Sequence, residues 1–428
     1  MELKPLKGMK DYYPGEMIVR KKILNKIKRI FELFGFRPLE TPALESWKVL
    51  SAKGAGGLEI LKESYEFVDR GGKKVGLRYD LTVPLARFVA NNPNLPLPFK
   101  RYQIQKVWRY GDVKRGRLRE FYQCDIDIVG SGSVLADEEC VACAIFCLKE
   151  LGFEDFVVRV NNRKVLTALV KYAGVPQSKI IQVLRAIDKM DKIGLNGVKK
   201  ELEKIKLEKD VIEKIIKFIN FSGDKLNKIK EILDEEGKEG INELLKFLEF
   251  AEIFGIKDKI VVDLSLARGL DYYTSLIFEI WSKDKKIGSL GGGGRYDNLI
   301  EIFSGKKIPA TGISLGIERI FELIKMKQKI EEKTPSKVFI ATVSNEFLKN
   351  VVEITNLLRN NGISCEFDVM GRSLSKQLKY VDKLNIPFTL IIGKKEIENN
   401  SVKIRDMKSG KEYLVKISEV VNWLKPRF

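Results

Sequence analysis

Tyr102–Val129 reads YQIQKVWRYGDVKRGRLREFYQCDIDIV, and this stretch decides the fold. Tyr102–Tyr110 and Glu120–Val129 carry β-branched and aromatic residues at strand spacing. Gly111–Arg119 joins them as a loop holding Lys114, Arg115, Arg117 and Arg119, with Arg109 just before it and Phe121 just after it. The pattern predicts an antiparallel pair with a basic turn. Guanidinium groups on such a scaffold suit a polyphosphate, because each holds two oxygens. The Phe121 ring offers a face on which a base can stack. The structural alternative is a solvated basic hairpin, which motif and spacing alone do not exclude.

Outward from this pair, the first third reads as α+β. Helical periodicity runs from Glu16 to Phe34 and stops at Gly35. Phe36–Pro42 reads as an edge strand, because its prolines cannot donate to a ladder. Tyr65–Asp69 and Val75–Tyr79 form a hairpin across Gly71–Gly72, and a helix covers Pro84–Ala90. Gly174–Gly255 is predicted as an all-helical insertion with breaks at Gly194, Gly223 and Gly240. Strand patterns return at Ile260–Asp263, Tyr273–Trp281 and Lys286–Leu290. The glycines Gly291–Gly294 follow, then a helix over Arg295–Ile302, then Pro309–Gly316 and a helix through Arg319. Met326–Ser336 is a charged, proline-bearing linker. Beyond it, βαβ alternation predicts a small, largely parallel sheet, with a hairpin over Val402–Val415 and a final helix from Glu419.

Composition narrows the chemistry. The 428 residues contain no histidine, which excludes a Ser-His-Asp triad, a Cys-His pair and a His-ligated zinc. A net charge of +19 favours a polyanionic partner over a merely lysine-rich surface. Cys140, Cys143 and Cys147 fall on one face of a helix over Ala136–Leu151, which favours core packing over a metal site. No apolar run has the length of a membrane span, and the polar start is unlike a targeting segment. A cytoplasmic location and no membrane partner are the expectation.

Three further motifs carry possible chemistry. Leu266–Thr274 (LARGLDYYT) places arginine, aspartate and two tyrosines together, apt for a polar pocket around a small ring. Gly291–Asp297 (GGGGRYD) lacks the full dinucleotide pattern and instead lets backbone approach a ligand closely. Gly312–Arg319 (GISLGIER) sets Arg319 in the first turns of a helix, a natural phosphate site.

In combination these motifs resemble the class II aminoacyl-tRNA synthetases, and specifically the histidyl-tRNA synthetase family. Gly8–Gly15 and Phe34–Pro42 are similar to the family's entry segment and its dimer-forming motif 1. Val107–Gln123 looks like motif 2, Leu266–Thr274 like the histidine-specific signature, and Gly316–Arg319 like motif 3. The resemblance covers essentially the whole chain. It implies an α+β catalytic domain with a class II-type antiparallel sheet, a helical insertion, and a C-terminal α/β anticodon-binding domain. The divisions expected are 1–174 and 256–325 for the catalytic core, 175–255 for the insertion, 326–336 for the linker and 337–428 for the anticodon domain.

The resemblance also implies roles. Arg109 and Arg268 would act on the α-phosphate of ATP, brought as its Mg2+ complex. Arg117 and Arg319 would hold the outer phosphates, and Phe121 would stack on adenine. Asp80 and Thr82 match the α-amino subsite and Gln123 the carboxylate subsite. Asp127, Tyr273 and Tyr296 match the imidazole pocket. Asp112, Lys114 and Arg115 would meet the acceptor end of tRNA(His). The family often has an acidic residue where this chain has Gly111, and Asp112 is a candidate replacement. No protein metal site or prosthetic group is implied, and a homodimer is. The expected activity is ATP-dependent ligation of histidine to tRNA(His) through histidyl-adenylate. The alternative is a non-catalytic histidine-sensing regulatory paralog. The retained arginines and the C-terminal domain favour the enzyme.

Overall fold

The computed structural model describes residues 3–52, 61–220, 226–267, 272–284, 288–327 and 330–428. The chain forms two compact units. One comprises the residues up to Lys10 and Ile23–Met326, and the other Asp11–Lys22 and Lys327–Phe428.

The first unit is built on an eight-stranded sheet. Its strands, with three of a smaller sheet, are β1 (Arg37–Pro38), β2 (Leu44–Ser46), β3 (Glu66–Val68), β4 (Lys74–Leu77), β5 (Phe99–Trp108), β6 (Glu120–Val129), β7 (Phe156–Asn162), β8 (Ile260–Val262), β9 (Leu276–Ser282), β10 (Ser289–Arg295) and β11 (Ala310–Gly316). The large sheet runs β1-β5-β6-β11-β10-β9-β7-β8, and β2-β4-β3 form the small one. The pairs from β5 through β7 are antiparallel, with parallel pairs at the two edges, β1 on β5 and β7 on β8. The proline-containing β1 does lie at an edge, where its missing N–H costs no ladder bond.

Period-two alternation sorts the sheet into two faces. On β6, Cys124, Ile126 and Ile128 are buried on one face, which the helix Val134–Glu150 covers. Cys140, Cys143 and Cys147 of that helix are fully buried and free, as core residues. Gln123, Asp125 and Asp127 point to the opposite face. Between β7 and β8 the described chain is helical, its last long helix being Glu235–Ile253, followed by a 3-10 turn over Lys257–Lys259.

Two glycine readings are corrected. Gly240 does not break a helix but lies inside Glu235–Ile253. A Cβ there would meet Val165 Cγ2 at 2.9 Å and Lys164 Cβ at 3.0 Å. The glycine serves close helix packing, a tertiary demand that outweighs its poor helix propensity. Gly291–Gly294 form the centre of strand β10 rather than a loop after one, and the following helix is only Glu301–Ser304. Gly194 is a break, with φ 66°. Gly223 lies outside the described residues.

The second unit carries β12 (Val338–Thr342), β13 (Cys365–Phe367), β14 (Phe388–Ile392), β15 (Ser401–Asp406) and β16 (Glu412–Lys416) in the order β13-β12-β14-β15-β16. Its sheet is mixed rather than largely parallel. β13, β12 and β14 are parallel, and β15 and β16 add antiparallel. The hairpin is long enough to supply two of the five strands. The helices Leu348–Asn360 and Leu374–Leu384 pack in different apolar clusters with the sheet, and β12 and β14 are buried along their whole length.

Candidate active site

A cavity of about 1010 Å3 lies on the polar face of the large sheet. It collects Asp80, Thr82, Arg109, Arg117, Phe121, Gln123, Asp127, Tyr273, Tyr296 and Arg319, ten of the residues singled out in the sequence. Arg268 lies outside the described residues. Asp112, Lys114 and Arg115 are exposed on the hairpin loop and do not line the cavity. Arg115 pairs instead with Glu322 at 3.1 Å.

The floor of the cavity exists because of glycine. Gly294 and Gly312 face each other across β10 and β11, and Gly312 pairs with Asp127 on β6. A Cβ on Gly312 would lie 2.1 Å from Asp127 Oδ1, and one on Gly294 would lie 2.8 Å from the Tyr273 ring. Bare backbone at these positions leaves room for the two side chains to lie flat over the sheet.

Asp127 is the electrostatic centre. It is 3% exposed, and the Tyr296 hydroxyl donates to its Oδ1. The Arg101 guanidinium lies 2.7 Å from its Oδ2, opposite it in the β5–β6 register. Arg101 aims its hydrogen bonds elsewhere, at the Leu81 carbonyl and the Gln103 side chain, so Asp127 Oδ2 has a charge neighbour but no donor. Burial raises the Asp127 pKa, against the opposing pull of Arg101. Tyr272 and Tyr273 meet edge to face at 4.9 Å, and Tyr272 meets Tyr296 at 5.8 Å, which makes an aromatic wall.

Asp80 precedes the helix Thr82–Ala90. Its Oδ1 accepts from the Val83 N–H at 3.0 Å, while its Oδ2 is buried without a partner. Burial, the largest influence, pushes its pKa up to about 6, against that hydrogen bond and the charge of Arg109. Gln123 donates to Ser314 Oγ at 3.2 Å, and its own oxygen is unpartnered.

At the other end the groups are cationic. Arg109 donates to the Tyr79 carbonyl at 2.8 Å and stands 5.5 Å from the Phe121 ring centroid. Arg319 lies in the first turn of the helix Ile317–Lys327 and donates to the Ser289 carbonyl. Gly116, with φ +68°, lets the hairpin loop fold onto Arg319, since a Cβ there would sit 3.0 Å from Arg319 Cγ. Arg117 faces Glu63 at 3.8 Å. That carboxylate fills the space beside Gly111, where a Cβ would be 3.2 Å from both its oxygens. An acidic group from a different segment, Glu63, therefore stands beside Gly111, while Asp112 is exposed on the loop.

The cavity thus has a carboxylate and tyrosine end fit for a cationic ring, and an arginine end fit for phosphates. Sequence reasoning missed Arg101, Asp125, Tyr272 and Glu63. The first two were accessible through alternation, since Arg101, Gln103 and Gln105 face Asp127, Asp125 and Gln123 in register. Tyr272 stood beside Tyr273 in the quoted motif. No local pattern pointed to Glu63.

Comparisons with known proteins agree along the whole chain. A family model described as histidyl-tRNA synthetase matches residues 8–320, and an anticodon binding domain model matches residues 337–427. Histidine–tRNA ligase 1 of Bacillus cereus is 39% identical over 434 residues, covering 99% of this chain and 100% of that protein. Histidine–tRNA ligase of Aeropyrum pernix is 40% identical over 428 residues, covering 98% and 97%. The crystal structure of histidyl-tRNA synthetase from Nostoc sp. superposes with a TM-score of 0.86 at 32% identity, covering 100% of both chains.

Proposed function

The chain belongs to the histidyl-tRNA synthetase family, and from that premise we propose how its cavity works. The enzyme ligates histidine to tRNA(His) at the expense of ATP. The observation that carries this reading is the polarity of the cavity, with Asp127 and Tyr296 bonded at one end and Arg109, Arg117 and Arg319 at the other.

In the first step the histidine carboxylate attacks the α-phosphorus of ATP. The new bond is carboxylate oxygen to phosphorus, and the bond to the β-phosphate oxygen breaks, releasing pyrophosphate. Such a transfer needs in-line positioning and neutralised charge more than proton transfer. Arg109 and Arg268 hold the α-phosphate, Arg117 and Arg319 the outer phosphates, and Phe121 the adenine. Magnesium enters with the nucleotide as part of the substrate. Asp127 accepts an imidazole N–H, Tyr273 and Tyr296 complete the ring pocket, Asp80 and Thr82 take the α-amino group, and Gln123 lies beside the carboxylate. In the second step the terminal ribose hydroxyl of tRNA attacks the histidyl carbonyl and AMP leaves. A phosphate oxygen of the adenylate takes the hydroxyl proton, so a chain without histidine lacks nothing it needs.

Asp112, Lys114 and Arg115, exposed on the hairpin loop, receive the acceptor end. Residues 337–428 bind the anticodon and residues 175–255 form the insertion between the two parts of the catalytic core. The active form is a homodimer in the cytoplasm. Exposed Leu44, Phe67 and Val68 on the small sheet support pairing with a second copy. Amino-acid-dependent pyrophosphate exchange tests the whole reading. Histidine alone should support exchange, and a chain that binds histidine without exchange would be a sensor rather than an enzyme.

A further inference from the structure

The substrate contacts assigned to Asp80 and Asp127 leave a third buried carboxylate of the cavity, Asp125, without a task. It lies between Gln123 and Asp127 on the polar face of β6, opposite Gln103 on β5 and Ser314 on β11. The side chain is 3% exposed and borders the cavity. The Ser314 hydroxyl, which accepts from Gln123, donates to it. That relay fixes the carboxylate yet leaves its Oδ1 without a partner, as Asp80 Oδ2 also is.

An unpaired buried acceptor costs stability, and this one borders a cavity that can admit a donor. Asp80 and Asp127 both act on Asp125, while Arg101 lies against Asp127 and also acts on Asp125 and Asp80, and Arg109 on Asp80. Burial, with Asp127 and Asp80 adding to it against Arg101, pushes the Asp125 pKa up to about 7. An ammonium group brings three donors for the orphaned oxygens of Asp80 and Asp125.

We propose that Asp125 and Asp80 together hold the α-ammonium group of the amino-acid substrate, with Asp125 as a specificity-determining residue that makes the site demand an amine. The assignment rests on the histidine reading above. On that reading Asp127 and the tyrosines are committed to the ring, and the ammonium is the remaining cation.

The test is equilibrium binding of histidine, histamine and imidazolepropionate, the analogue without the amine, to the full chain and to Asp125→Asn. The variant should bind both amines at least about tenfold more weakly, as expected for a lost charged partner. It should bind imidazolepropionate as well as the parent or better. That retained binding also reports an intact pocket. Asp125→Ser, a second neutral replacement, carries the same expectation. Equal weakening of all three ligands would assign Asp125 a structural role and overturn the proposal, as would unchanged histidine affinity. Failure of the parent chain to bind histidine would overturn the histidine reading itself, a result distinct from either.

Discussion

Gly312→Ala adds one methyl group at the floor of the cavity, and the structure sets its consequence. The new Cβ would lie 2.1 Å from Asp127 Oδ1 and 2.6 Å from the Ile126 carbonyl oxygen, where real Cβ contacts stay beyond 3.0 Å. The Asp127 carboxylate must swing aside, and because the Ile126 carbonyl belongs to the β6 backbone, relieving that second contact also requires β6 and β11 to shift locally. Overpacking of this kind costs about 1–3 kcal/mol. Displacing Asp127 also strips it of the Tyr296 donor and of the Arg101 charge. The larger loss is in binding. A charge-assisted hydrogen bond to the imidazole is worth about 1.5–3 kcal/mol, which is about ten- to a hundredfold in histidine affinity. Calorimetric titration should show that loss for histidine, with ATP affinity within about threefold of the parent, because the arginine end is built from other strand positions. A variant that binds histidine within about twofold of the parent and melts at the same temperature would refute the account of the glycine floor.

Other perturbations follow the same geometry. Asp127→Asn removes the charge but keeps the shape, and should weaken histidine by about tenfold or more while leaving ATP binding intact, as measured by the same titration. Arg109→Ala should lower pyrophosphate exchange by about a hundredfold or more with histidine binding retained, since its charge acts on the phosphates. Stability of the ligand-free protein should fall as pH rises. Burial pushes the pKa values of Asp80 and Asp137 up to about 6, Asp125 up to about 7 and Glu138 up to about 8. In the unfolded chain these groups lose their protons near pH 4, so between about 4 and 8 the folded state holds more protons. Their contribution is fully present below about pH 4 and is lost through the folded values. Melting curves should therefore move downward from pH 5.5 to 8, and added histidine should raise the melting temperature more at pH 8.

Legibility in the sequence followed the strength of the local signal. β5 and β6 were plain because alternation there is strong, and the same alternation put Gln123 and Asp127 on one face. β10 was misread because four glycines carry no side-chain period, so only pairing with β9 and β11 makes them a strand. Gly240 was misread because a glycine that breaks an isolated helix can be required where two helices touch. Asp112 was a reasonable surrogate for the acid missing at Gly111, being next in the chain. Glu63 also lies beside Gly111 in the fold, and 48 positions of sequence separate the two.

By itself, then, the sequence determined the order of most elements and ten of the residues that line the cavity. These depend on periodicity, turn chemistry and charge, which act over a few neighbouring residues. Only the tertiary structure decided that Arg101 stands against Asp127, that bare backbone at Gly294 and Gly312 makes room for Tyr273 and Asp127, and that Asp125 is left with an unpaired oxygen. Those facts are distances between strands far apart in the chain. They are fixed by β-sheet register and close packing, in which one methyl group or one carboxylate more changes what the cavity can hold.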